Sequence, residues 1–204
     1  MQHLIGSGSQ LARRARPALA ALALALLSQP AFAHTGAASL GGFAAGFLHP
    51  MTGFDHVLAM VAVGMWGAQL GMPLIWMLPV TFPLVMALGG MLGGLGVPLP
   101  GVEVGIAASV VVLGAMVALS ARPPIWFAAL LVAIWAVFHG YAHGAELPES
   151  ADPYAFGIGF VVATGLLHLI GIVLGELSRW PGGRVALRTG GAAICAAGLW
   201  LLVG

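Results

Sequence analysis

Apolar runs of about twenty residues recur along this 204-residue chain, and a helix of that length matches the ~30 Å hydrocarbon core of a bilayer. Hydrophobic residues make up 60% of the sequence and charged ones 6%, with no lysine. One soluble core of this size has no room to hide so much apolar surface. The chain therefore reads as an all-α, polytopic membrane protein with a single helical domain.

The first 33 residues form a separate unit. Arg13, Arg14 and Arg16 precede the apolar run 18–27, Pro30 breaks it, and Ala31-Phe32-Ala33 follows. This is the pattern of a secretory signal with an A-x-A cleavage site, and the apolar run is too short to span comfortably. The expected organisation is a cleaved signal peptide, 1–33, and a transmembrane domain, 34–204. Cleavage after Ala33 would expose His34, whose α-amine and imidazole together can chelate a metal. It would also leave four arginines against six acids, a formal charge of −2, with no basic patch for nucleic acid or anionic lipid. Cys195 stands alone, so it forms no intrachain disulfide and is expected to pack within a helix.

Six apolar segments follow, at about 40–70, 74–96, 103–120, 124–145, 154–177 and 185–203, separated by connectors carrying Pro, Gly or the few charges. A cleaved signal places the mature N-terminus outside, in the periplasm of a bacterium with the domain in its inner membrane. Arg122, Arg179, Arg184 and Arg188 then fall in or beside cytoplasmic connectors, and Glu103, Glu146, Glu149 and Asp152 at outer ends. The positive-inside rule agrees with this N-out, C-out arrangement. The first segment is too long for one straight span, about 46 Å at the α-helical rise. A break is expected near His49-Gly53, where Pro50 and Gly53 disfavour a continuous helix. Glycines spaced by four, Gly89 with Gly93, Gly90 with Gly94 and Gly171 with Gly175, are expected to let helices approach closely.

Polar side chains inside such segments are costly, and they gather in two places. In "FHGYAHGAE", residues 138–146, His139 and His143 lie one helical turn apart, close enough to share a metal ion, and Glu146 extends the same face. In "HPMTGFDH", residues 49–56, His49, Asp55 and His56 surround the expected break; Asp55 also suits the N-cap of the helix that resumes there. Weaker candidates are Glu103 in a first helical turn and His168 in mid-segment. Glu176 is expected to pair with Arg179, and Met60 and Met65 to fill the core. Imidazole and carboxylate donors without a thiolate suit borderline divalent ions such as Ni²⁺, Co²⁺ or Zn²⁺, and donor type does not separate these three.

The strings H-x5-D-H and F-H-G-x-A-H-G-x-E, with a signal and six mature spans, resemble the HupE/UreJ family of nickel/cobalt permeases across essentially the whole mature chain. The resemblance implies secondary uptake of Ni²⁺, in some members Co²⁺, as a transported ion with no prosthetic group. The ion would serve metalloenzymes such as hydrogenase or urease through a metallochaperone or maturation proteins. It places the important positions on His49, Asp55, His56, His139, His143 and Glu146; His34, Glu103 and His168 stand as lesser metal candidates on residue type and position alone. Two rival classes use the same cluster: a membrane metalloenzyme, against which stands the absence of H-E-x-x-H, and a metal sensor or storage protein. Nothing in the sequence has the form of a Walker A loop, so the chain itself is not expected to hydrolyse ATP.

Overall fold

The computed structural model describes residues 42–146 and 152–204. The expected signal peptide, 1–33, His34 and Glu149 lie outside the described residues. Every regular element described is helical: α1 Gly42–Thr52, α2 Phe54–Leu70, α3 Leu74–Gly94, α4 Val102–Leu119, α5 Ile125–Ala145, α6 Pro153–Gly175 with a 3-10 turn Glu176–Arg179, and α7 Pro181–Val203. Five of them, α3 to α7, are long and apolar enough to cross a membrane. Large apolar side chains such as Leu84, Leu88 and Val173 point outward from the bundle, as suits a lipid surround.

The first apolar segment is interrupted, at Gly53 rather than at His49. Helix α1 carries His49 and Pro50 through to Thr52, whose hydroxyl donates to the His49 carbonyl (2.7 Å). Gly53 then leaves the helix (φ −83°, ψ 109°) and is the N-cap of α2. Pro50 lies inside α1 and has no N–H to offer the carbonyl one turn before it, a local cost to the helix just before it ends. Asp55 is therefore not the N-cap. It is the second residue of α2, in its first turn, where its Oδ1 accepts the backbone N–H of His56 (2.7 Å). At the other end of the chain α7 begins at Pro181, whose fixed φ suits a first helical position, so Arg184 and Arg188 lie within that helix rather than in a connector.

Glycines set the helix pairs. Helix α3 lies along α5: Gly140 and Gly144 of α5 meet the backbone of Met86 and Gly90, and Gly89 and Gly93 of α3 meet that of Val137 and Tyr141. Any Cβ at Gly140 or Gly144 would collide with a carbonyl oxygen of α3. Helix α2 lies along α6 through Gly64 and Gly171, and α4 along α7 through Gly114, which faces Gly191 and Cys195. Close backbone approach replaces the hydrophobic drive that is missing between helices in lipid. The core between the pairs holds Met60, Trp66, Leu78, Phe82 and Leu113.

The last carbonyls of α4 are satisfied from outside that helix, as a buried helix end requires. Trp66 Nε1 donates to Ala121 O (2.9 Å), Gln69 Nε2 to Val117 O (3.1 Å) and Arg188 Nε to Ala118 O (2.8 Å). These bonds tie α2, α4 and α7 together at the end of the bundle opposite the α2 N-terminus. Glu176 pairs with Arg179 as the spacing suggests.

A methyl group tests the close approach directly. At Gly114 a Cβ would stand 2.9 Å from Cys195 Cα and from Gly191 O, whereas nothing lies within 4 Å at Gly165. Gly114→Ala is expected to destabilise the detergent-solubilised chain by about 1–3 kcal/mol, the usual range for overpacking. Gly165→Ala should leave the thermal midpoint unchanged or slightly raised. Equal midpoints for the two variants would contradict the packing described.

Candidate metal centre

The N-terminus of α2, the C-terminus of α5 and the first half of α4 meet at one end of the bundle, and five polar side chains join there in a chain of contacts. Ser109 Oγ lies 2.7 Å from His139 Nε2, His139 Nδ1 lies 3.0 Å from His56 Nε2, and His56 Nε2 also meets His143 Nε2. Asp55 Oδ1 sits 3.4 Å from His56 Nδ1. His139 and Ser109 are fully buried and His56 nearly so.

The pattern of "FHGYAHGAE" explains how α5 presents this face. Each histidine is followed by a glycine, and Gly140 and Gly144 bring α3 against the adjoining side of the helix. Phe138 packs its ring against Gly105 in α4, where a Cβ would come within 2.7 Å of the ring. That contact draws the first turns of α4 toward α5 and sets Ser109 beside His139. Four apart, His139 and His143 then point together toward His56.

The protons in this chain can be placed from the outer partners. Ser109 donates its hydroxyl hydrogen to Ile106 O (2.6 Å), so its oxygen accepts from His139 and fixes the proton of that ring on Nε2. The Asp55 carboxylate accepts only, which fixes the His56 proton on Nδ1. With the protons so placed, His139 Nδ1 and His56 Nε2 would present lone pairs to each other across 3.0 Å. His143 does not relieve the pair: protonated on Nε2 it donates to His56 alone, and protonated on Nδ1 it brings a third lone pair. A shared cation resolves such a meeting, and ligating histidines characteristically hand their other N–H to a carboxylate or another oxygen acceptor. Asp55 thus acts through His56. The two do not converge as separate ligands, because the carboxylate folds back onto the N–H and ring of its neighbour.

A second, more open group shares His143. Ligand atoms of His49, His143 and Glu146 all lie within 4.8 Å of one another, with His49 Nε2 3.6 Å from Glu146 Oε2. The His49 ring stands edge-on to those of His143 (4.7 Å between centroids) and Phe156 (5.5 Å). Exposure falls steadily from Glu146 (56% of its side chain) through His49 (23%) and His56 (5%) to His139 (0%). Donors thus lead from the surface inward with His143 at the junction.

Of the remaining candidates, Glu103 is exposed in the first turn of α4, outside these groups. His168 is buried in α6 and meets the Phe82 ring, which is 5.5 Å from His139 and 5.6 Å from His168. Sequence reasoning missed Ser109. Its one signal is that it is the sole hydroxyl residue in the α4 span.

The chain matches the HupE / UreJ protein family over residues 22–201. It is similar to Protein HupE of Rhizobium leguminosarum bv. viciae, 46% identical over 185 residues that cover 89% of this chain and 95% of the relative. No solved structure matches the chain.

Ser109→Ala removes the acceptor that sets the His139 tautomer while leaving every metal donor in place. Divalent-metal affinity, read by titrating the purified protein with Co²⁺ and following its visible absorption, is expected to fall about 10- to 100-fold. Ser109→Thr should restore it. Unaltered affinity in Ser109→Ala would show that the hydroxyl does not orient the ring.

Proposed function

The chain belongs to the HupE/UreJ family, and on that premise we propose that it is a permease admitting Ni²⁺, with Co²⁺ as the competing cargo, from the periplasm across the inner membrane. The observation that carries this reading is the convergence of ring nitrogens of His56, His139 and His143 at one point, with 3.0 Å between His56 Nε2 and His139 Nδ1. Neutral imidazoles and nearby carboxylates suit a borderline divalent ion. In this reading the first span is the broken pair α1–α2, the domain crosses six times, and both termini of the mature chain are outside.

The graded exposure of the donors suits stepwise dehydration. Glu146 and His49 take a hydrated ion at the surface, His143 turns it inward, and His56 and His139 replace further waters. Transport requires that the ion also leave, so the site works best as an incomplete cage whose ligands hold it loosely. The ion's own charge supplies the drive. An inside-negative potential favours entry of a dication by about 4.6 kcal/mol per 100 mV, which corresponds to somewhat more than three decades of accumulation. The delivered ion then passes to a metallochaperone or to maturation proteins of a nickel enzyme.

Uptake of ⁶³Ni²⁺ by cells expressing the chain tests the reading. His139→Ala is expected to lower the maximal rate at least about tenfold, on the scale of losing one ligand shell contact. Glu146→Gln, altering the most exposed donor, should instead raise the half-saturating concentration and spare most of the maximal rate. Uptake no greater than in cells without the chain would favour a metalloenzyme or a sensor, and full uptake in His139→Ala would remove the site assignment.

A further inference from the structure

The molecule holds a second pair of buried polar groups that the outer centre does not use. His168 is 1% exposed, and neither of its ring nitrogens has a hydrogen-bond partner among the described residues. Thr164, one turn earlier on the same face of α6, is fully buried, and its hydroxyl is likewise without a partner. A buried histidine kept for packing normally gives its N–H to a carbonyl, and a helical threonine normally bonds back to the preceding turn. Two such groups left together in an apolar span are costly unless something polar visits them.

Their position relative to the outer centre is specific. The Phe82 ring stands edge-to-face with both His139 and His168, at nearly equal centroid distances of 5.5 and 5.6 Å. Phe82 is fully buried and belongs to α3, where Pro79 and Pro83 flank it. Neither proline has an N–H, so the carbonyls of Ile75 and Pro79 lack their usual helical donors and the turn bearing Phe82 is the least restrained of that helix. A cleft of about 300 Å³ lined by Pro83, Met86, Gly140, His143, Phe156 and Phe160 reaches the outer centre at His143.

We propose that His168 and Thr164 form an inner station for the same divalent cation, an imidazole nitrogen and a hydroxyl oxygen that receive it after it passes the Phe82 ring. This rests on the permease reading. An ion held by three imidazoles leaves slowly, and a weaker nitrogen-and-oxygen pair beyond an aromatic partition offers it a next position, as conduction through successive sites requires. Thr164 and His168 lie about 6 Å apart at Cβ, the ordinary i,i+4 separation, so both can reach one ion.

The test uses the full chain in proteoliposomes with an inside-negative potential, ⁶³Ni²⁺ as probe, and equilibrium ⁶³Ni²⁺ binding measured on the same preparations. In His168→Ala and His168→Gln the initial uptake rate is expected to fall at least about tenfold, and in Thr164→Val severalfold, while binding stays within about twofold of the parent, since the outer ligands are intact. Retained binding also shows that the variants fold. Parental uptake rates in His168→Ala and Thr164→Val would make the pair structural and overturn the inner station alone. Loss of binding together with uptake in both His168 variants would make His168 a support of the outer centre and overturn it too. A parent chain that neither binds nor carries ⁶³Ni²⁺ would overturn the permease reading and the inner station together.

Discussion

Two imidazole nitrogens 3.0 Å apart, His139 Nδ1 and His56 Nε2, are the constraint around which the rest of this end of the bundle is arranged. The arrangement depends on protons being drawn off at the far side of each ring, to Ser109 from His139 and to Asp55 from His56. Each of those acceptors is delivered by a different helix feature. Ser109 arrives because Phe138 packs on Gly105, and Asp55 can fold back on His56 because α2 starts afresh at Gly53. Had α1 and α2 formed one continuous helix, its length would have exceeded the hydrocarbon core and carried one of the two histidines away from the centre.

The same contacts connect packing with chemistry. Gly140 and Gly144 let the backbone of α3 lie directly on α5, which brings Phe82 against His139. Substituting those glycines would therefore separate the aromatic partition from the imidazoles as well as loosen a helix pair. At the opposite end, Trp66, Gln69 and Arg188 hold the C-terminus of α4, so the helix carrying Ser109 is fixed at both ends. A rigid frame of this kind is what a precisely aimed set of ligands requires, because a donor displaced by about 1 Å no longer serves its site.

Much of this was legible in the sequence. Span length and composition gave helices close to their observed ends, and the two histidine strings marked side chains that do meet, because a 3.6-residue period makes i,i+4 neighbours certain once a helix is assumed. Contacts between helices were not legible in that way. Ser109 lies thirty positions before His139, and no local period links them. Asp55 also suited the N-cap of the helix that resumes after the break, but Gly53 is the cap, and the carboxylate bonds its neighbour's N–H and approaches its ring. The break expected near His49-Gly53 falls at Gly53, and the helix before it runs on through His49 and Pro50. Family membership follows from both motifs and is independently borne out.

The central claim is that nitrogen atoms of His56, His139 and His143 converge on one divalent ion. Nickel K-edge X-ray absorption of the purified, Ni²⁺-loaded chain reads those ligands directly, through the outer-shell scattering that imidazole rings produce and carboxylates or water do not. The expected result is a first shell containing several imidazole nitrogens, with one fewer in His56→Ala and in His139→Ala. A shell made only of oxygen donors, or an imidazole signal unchanged in both variants, would contradict the account.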